Sequence, residues 1–109
     1  MRSTLRLLVA VACATAACSS HESTAPAGGV ATVRVQDNQY APAATRVAPG
    51  TSVTWNWEGQ NLHSVSFDDG TASDVQPRGS YRRTFGSAGT YRYHCLIHGL
   101  SMAGTVTVQ

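Results

Sequence analysis

The sequence predicts an all-β fold: an antiparallel β-sandwich or small barrel of about seven or eight strands, formed by residues 30–109. Two observations predict it. Apolar residues alternate with polar residues at a period of two, in short runs that turn-forming residues separate. No stretch of this region has the apolar periodicity of an amphipathic helix.

The alternation predicts which face of each strand is buried. Apolar members of one run share a face that packs into the core, while the residues between them face water. These members are Val33 and Val35; Val53, Trp55 and Trp57; His63, Val65 and Phe67; Tyr91, Tyr93 and Cys95; and Val106 and Val108. The separating residues favour turns. They are Pro49-Gly50, Glu58-Gly59, Asp68-Asp69-Gly70, Pro77-Arg78-Gly79, Gly86 and Gly89.

Residues 1–17 resemble an export signal of the bacterial lipoprotein type. Arg2 and Arg6 give it a basic start, and the apolar stretch 7–17 is shorter than the roughly 20 residues that span a bilayer. Small residues precede Cys18, which becomes the lipidated first residue in such signals. We expect a periplasmic or otherwise extracytoplasmic protein, anchored through a lipidated Cys18. Ordinary cleavage to a free soluble protein is the alternative.

Residues 18–29 are small, polar and rich in proline and glycine, which predicts a flexible tether before the folded domain 30–109. Cys13 and Cys18 precede that domain, so Cys95 is its single cysteine and no disulfide can form within it. A lone thiol in an oxidising compartment is prone to reaction unless it is occupied. Its presence therefore points toward a bound metal.

Charge excludes one class of function. The chain has no lysine, and two of its 8 basic residues, Arg2 and Arg6, lie in the predicted signal. The remaining arginines are matched in number by the 6 acidic residues, so the mature chain is near neutral. Binding to nucleic acid, or to an anionic membrane through a polybasic patch, needs clustered positive charge. We expect neither.

Three side chains with metal-binding chemistry follow one another near the C-terminus. Cys95, His98 and Met102 are spaced by three and four residues and bridge the end of one predicted strand and the start of the next. Thiolate, imidazole and thioether form a soft donor set, which favours copper over magnesium, calcium or manganese. His63 lies on the apolar face of its run and is the natural second imidazole. Two histidines, one cysteine and a weak axial methionine make up a blue-copper electron-transfer site.

Patterns along the whole domain carry a resemblance to a known family. They are Val33-x-Val35-x-Asp37-x-x-Tyr40-x-Pro42, Val47-x-x-Gly50-x-x-Val53-x-Trp55, Asn61-x-His63-x-Val65-x-Phe67 and Tyr91-x-Tyr93-x-Cys95-x-x-His98-x-x-x-Met102-x-Gly104. In these patterns the sequence resembles the cupredoxins, and among them the small bacterial plastocyanin- and amicyanin-like proteins. The resemblance implies a Greek-key β-sandwich. It also implies one Cu(I)/Cu(II) ion per chain, with His63, Cys95, His98 and Met102 as ligands.

The loop around these residues departs from many relatives in two ways. Ile97 and Gly99 flank His98, where a proline is common, and the interval from His98 to Met102 matches the azurin-like spacing. These departures affect the expected shape of the loop and the reduction potential more than the identity of the ligands.

The function implied is that of a monomeric one-electron carrier, not an enzyme. Its partner would be another exported redox protein, such as a cytochrome or a copper enzyme, bound briefly through a small interface. His98 would present an imidazole edge at the surface, and Gly99 and Leu100 would line a small apolar docking patch around it.

Other interpretations stay open from the residues alone. A copper trafficking or storage module is one, although the chain has no Met-rich or His-rich tract. A multicopper oxidase needs paired histidines, whereas Leu96 stands where a histidine would follow Cys95. A zinc site, or a ligand-free sandwich used for adhesion, is not excluded by the cysteine and histidines. His94 is predicted to point to the opposite face of its strand from Cys95, and so not to bind the metal.

Overall fold

The computed structural model describes residues 23–25 and 29–109, and all its regular structure is β. The strands are β1 (Ser23–Ala25), β2 (Val30–Gln36), β3 (Gln39–Ala41), β4 (Ala44–Val47), β5 (Thr51–Trp57), β6 (Ser66–Phe67), β7 (Ser80–Phe85), β8 (Gly89–Cys95) and β9 (Gly99–Val108). One sheet has the order β1-β4-β9-β8-β6, and the other has the order β3-β2-β5-β7. Within the described residues, no helix is long and apolar enough to cross a membrane.

The predicted all-β sandwich is confirmed, but its pairing is mixed rather than wholly antiparallel. β2 pairs with β5 in parallel, as do β4 with β9 and β1 with β4. Parallel neighbours need a connection that crosses over, and here the chain between β2 and β5 passes through β4 in the other sheet. Alternation identifies the buried face of a strand and says nothing about the direction of its neighbour. The sequence therefore could not predict these parallel pairs.

The predicted N-terminal segments fall largely outside the described residues. This holds for the export signal, residues 1–17, and for Cys18. Within the predicted tether, residues 18–29, the short strand β1 pairs with β4 at the edge of a sheet, with Ser23 opposite Thr45. The boundaries proposed for signal, tether and domain stay a prediction.

The core lies between the sheets and follows much of the predicted alternation, but not in residues 63–67, where Ser64 and Ser66 are buried together with the predicted inward side chains. The apolar side chains that the alternation places inward in β2 and β5 are buried, among them Val33, Val35, Val53 and Trp55, and Ser52 on the other face of β5 is buried as well. The Trp55 ring packs on other aromatic rings, with edge-on contacts to Phe67 and Tyr93. Aromatic pairs of this geometry add stability beyond the area they bury.

One charged side chain closes this aromatic cluster on the surface. The Arg83 guanidinium lies 4.4 Å from the ring centroid of Phe67 and 4.8 Å from that of Phe85, and it is 2.7 Å from an Asp69 carboxylate oxygen. We expect Arg83→Ala to lower the free energy of unfolding by about 1–2 kcal/mol, because it removes both the cation–π contacts and the packing of the side chain. Chemical denaturation measures this change.

Arg82→Ala is the matched control. Arg82 is the neighbouring arginine on the same strand, but it is exposed on the opposite face. Its removal should change the free energy of unfolding by less than about 0.5 kcal/mol. Equal losses for the two variants would contradict the stabilising role of the Arg83 stack.

Candidate metal centre

The fold brings three of the predicted residues together at one end of the sandwich. Cys95 is the last residue of β8, and His98 lies in the turn between β8 and β9. His63 comes from the segment between β5 and β6, where its backbone pairs with Gln76. One ligand atom of each of these three side chains lies within 4.8 Å of the other two.

The two imidazoles face the thiol through the same kind of atom. Cys95 Sγ lies 3.6 Å from His98 Nδ1 and 3.9 Å from His63 Nδ1. The imidazole rings are 5.1 Å apart and tilted by 32°. His63 and Cys95 are fully buried, whereas His98 is half-buried. Three soft or borderline donors thus converge on one point, which suits a copper ion.

Met102 lies on β9, where its side chain is buried. Tyr93 pairs with Gly104 and His94 with Ala103, so the same register would set Met102 opposite Cys95. A bulge intervenes and pairs Cys95 with Gly99 instead. The turn that carries His98 lies between these two residues, from Leu96 to His98. Met102 is thus a buried residue of the strand that pairs with β8. The four-residue ligand set itself stays a prediction.

The surroundings of Cys95 favour its thiolate. Burial raises the pKa of the thiol, but hydrogen bonds, chiefly from His98 and from the backbone N–H of Ser64, outweigh it and lower the pKa to about 6. The thiolate is the form that binds a metal. The site thus presents the anion near neutral pH without needing the metal to displace a tightly held proton.

Two further residues build the frame around the donors, and both are absent from the sequence-based ligand prediction. Ser64 Oγ accepts a hydrogen bond from the backbone N–H of Leu96 at 3.0 Å, which fixes the chain just after the thiol. Asp37 Oδ1 lies 2.8 Å from His63 Nε2. This hydrogen bond is the main cause that lowers the pKa of Asp37 to about 2, so the carboxylate is ionised. Asp37 stands in a pattern that matches the family, but nothing in its spacing from His63 reveals the contact.

His94 lies where the alternation predicts. It is on the face of β8 opposite Cys95, with its Nδ1 3.9 Å from Asp68 Oδ1. It is not part of the donor cluster.

Exposed apolar side chains flank the donors along the chain. Four side chains that neighbour the donors in sequence are exposed, and we call them the apolar patch: Leu62, Leu96, Ile97 and Leu100. Leu100 is the most exposed, at 85%. Large exposed apolar groups in one place often mark a contact surface.

A small β-sandwich with a buried thiol and two imidazoles converging at one end defines a class of metal-binding proteins, those that hold a single ion under loops between strands. The chain belongs to one family of that class: the model of the cupredoxin-like domain matches residues 7–108. Copper is its cofactor, and the donor set fits that ion.

Similarity to individual proteins supports the same family assignment. Plastocyanin of Scenedesmus fuscus is 32% identical over 84 residues, which cover 64% of this chain and 86% of the relative. Amicyanin of Paracoccus denitrificans is 32% identical over 90 residues, covering 76% of this chain and 68% of the relative. Among solved structures, a Cu(I) form of an amicyanin variant aligns with a TM-score of 0.68 at 29% identity, covering 76% of this chain and 85% of the other. The prediction of a plastocyanin- or amicyanin-like cupredoxin is confirmed.

One structural neighbour is part of an enzyme. A Cu-containing nitrite reductase from Thermus scotoductus SA-01 aligns with a TM-score of 0.66 at 26% identity over 72% of this chain. This chain spans only 22% of that neighbour's length. The likeness therefore concerns one domain and carries no enzymatic activity to this chain.

Proposed function

We propose that this protein is an exported one-electron carrier with a type 1 copper centre, and that it is not an enzyme. The observation that carries the proposal is that one donor atom of each of Cys95, His63 and His98 lies within 4.8 Å of the other two. Similarity to plastocyanin and amicyanin supports the same conclusion. His63, Cys95 and His98 would hold the ion, with Met102 as the weak axial ligand.

When bound, copper supplies a Cu(II)/Cu(I) couple. The chain's own part is to keep the donors in nearly one arrangement for both oxidation states. Trp57 Nε1 donates to the His63 carbonyl at 3.2 Å, and Ser64 holds the backbone after Cys95. These hydrogen bonds lie within the protein and hold the backbone at two donors without the metal. The donors therefore need to move little when an electron is gained or lost.

The electron would pass at the apolar patch. His98 is the half-buried member of the cluster, and its imidazole is the donor nearest to solvent. Leu96, Ile97 and Leu100 surround it in sequence and are exposed. A small apolar surface supports brief contact with another exported redox protein, such as a cytochrome or a copper enzyme. A monomer is expected, with lipid anchoring at Cys18 as part of the same proposal.

The proposal is tested with the purified protein and Cu(II). We expect an intense visible absorption band, one copper per chain and a reversible one-electron couple. Self-exchange of electrons between oxidised and reduced copies should be fast, because the site changes little. Leu100→Asp should slow it by about tenfold or more, because two copies would then meet with like charges at the apolar patch.

Val30→Asp is the matched control for that variant. Val30 is also exposed, at 58%, but it is the first residue of β2. The metal centre lies near the other end of that strand, where Asp37 contacts His63. It should leave self-exchange unchanged. A colourless product with Cu(II) would contradict the blue-copper centre. A blue protein with slow self-exchange in every form would instead favour a copper trafficking or storage module.

A further inference from the structure

A carboxylate outside the donor cluster is bonded to the buried histidine. Asp37 follows β2, and its Oδ1 lies 2.8 Å from Nε2 of His63. The His63 side chain is fully buried, while that of Asp37 is one-third exposed. Asp37 therefore stands between solvent and the imidazole, on the side of the ring away from Cys95.

The position of this carboxylate is fixed by other contacts. Asp37 Oδ1 accepts hydrogen bonds from the backbone N–H groups of Gln60 and Asn61, both at 3.1 Å. Gly59 allows the approach, because a Cβ at that position would overlap Asp37 Oδ1 and would lie 2.9 Å from the Asp37 backbone nitrogen. The loop before His63 is thus folded around the carboxylate, and the His63 contact is part of a built arrangement.

The contact determines where the proton of His63 lies. An ionised carboxylate only accepts hydrogen bonds, so the Nε2–H of His63 must donate to Asp37. Nδ1 then carries the lone pair, and Nδ1 is the atom that faces Cys95 Sγ at 3.9 Å. A carboxylate on the far nitrogen also makes an imidazole a stronger donor to a metal.

We propose that Asp37 is a positioning residue of the copper centre: it selects the Nε2–H tautomer of His63 and, through its negative charge, favours Cu(II) over Cu(I). The inference rests on the proposed function in that His63 is taken as a copper ligand. Cu(II) carries one more positive charge than Cu(I), so a nearby anion stabilises it more. Asp37 accordingly lowers the reduction potential of the centre.

The first test needs no copper. Nitrogen NMR of the metal-free protein should show His63 as the Nε2–H tautomer. Asp37→Ala removes the acceptor and should give a mixture of tautomers. Asp37→Asn keeps an oxygen that can accept and should retain the Nε2–H form. An Nδ1–H tautomer in the wild-type protein, or no change in Asp37→Ala, would overturn the proposal. This outcome is independent of whether the protein works as an electron carrier.

The second test measures the copper couple. Asp37→Asn should raise the potential by an amount that corresponds to about a tenfold loss of Cu(II) affinity relative to Cu(I), which is about 59 mV for a one-electron couple. Asp37→Ala should also weaken copper binding by about 10- to 100-fold. Asp74→Asn is the control, because it removes an equal charge from an exposed side chain.

The outcomes separate a positioning role from a structural one. A carboxylate that only braced the loop would change the free energy of unfolding in Asp37→Asn and leave the potential where it was. Equal shifts of the reduction potential in Asp37→Asn and Asp74→Asn would show that the shift reflects only the change in net charge. That result would overturn the proposal. Failure of the wild-type protein to form a blue centre would sink the proposed function, while the tautomer measurement would still decide whether Asp37 orients His63.

Discussion

Replacing Cys95 by serine is expected to remove nearly all of the visible absorption of the copper-loaded protein. The band arises from charge transfer between a thiolate and Cu(II), and Cys95 is the free cysteine of the described residues. Its thiol has a pKa lowered to about 6, so it is ready to bind as the anion. A serine hydroxyl at the same place is a harder donor that keeps its proton. Absorption spectra of both proteins after addition of one equivalent of Cu(II) measure the effect.

The neighbouring residue supplies the control. His94 is adjacent to Cys95 but lies on the other face of β8, against Asp68. His94→Gln should keep the band and the stoichiometry of copper. Thermal unfolding of metal-free Cys95→Ser would show that the domain still folds, because serine is close to cysteine in size. Retention of a strong band in Cys95→Ser would exclude the thiolate as a ligand.

Placing an alanine at Gly104 is expected to destabilise the domain by about 1–3 kcal/mol, the usual cost of overpacking a core. Gly104 on β9 lies directly over the ring of Tyr93, its pairing partner on β8. A Cβ at this position would overlap the Tyr93 ring and hydroxyl oxygen, and would lie 2.8 Å from Cε2. Tyr93 is buried and packs against Tyr40 and Trp55, so its ring has little room to move.

Gly86→Ala separates this overlap from the general effect of replacing a glycine. Gly86 has no heavy atom within 4 Å of an added Cβ. Its replacement should be neutral or slightly stabilising, because alanine has less conformational freedom in the unfolded chain. Denaturant midpoints of the two variants, at equal slope, give the comparison. Similar midpoints for both would contradict the close packing of Gly104 on Tyr93.

Much of the core was predictable from the sequence, because a period of two is a local property. The alternation of Val33 and Val35, or of Tyr93 and Cys95, says which side chains share a face, and these are buried together. The order and direction of the strands are not local. They depend on which distant segments pair, as β2 does with β5, and no residue pattern in either strand encodes that choice.

The candidate site divides in the same way. Cys95 and His98 are close in sequence, and their spacing alone suggests a common ligand. His63 required the additional inference that its strand face points inward, and the structure brings it to the thiol. Asp37 could not be predicted, because it lies 26 residues before His63 in the sequence. The two side chains meet only because the loop before His63 folds around the carboxylate. Hydrogen bonds between loops arise only once the sheets have set the distance between them.

The line from Asp37 through His63 to Cys95 has a mechanical consequence. Asp37 leaves the four-stranded sheet at the end of β2, whereas Cys95 ends β8 in the five-stranded sheet. Many β-sandwiches join their two sheets with a disulfide, and the described residues here hold one free cysteine and no such bond. The hydrogen bond from His63 to Asp37 and the contact of His63 with Cys95 connect the two sheets at this end of the sandwich. Copper held by His63 and Cys95 would strengthen this connection with coordinate bonds. Loss of the ion should therefore loosen this end of the domain before the other.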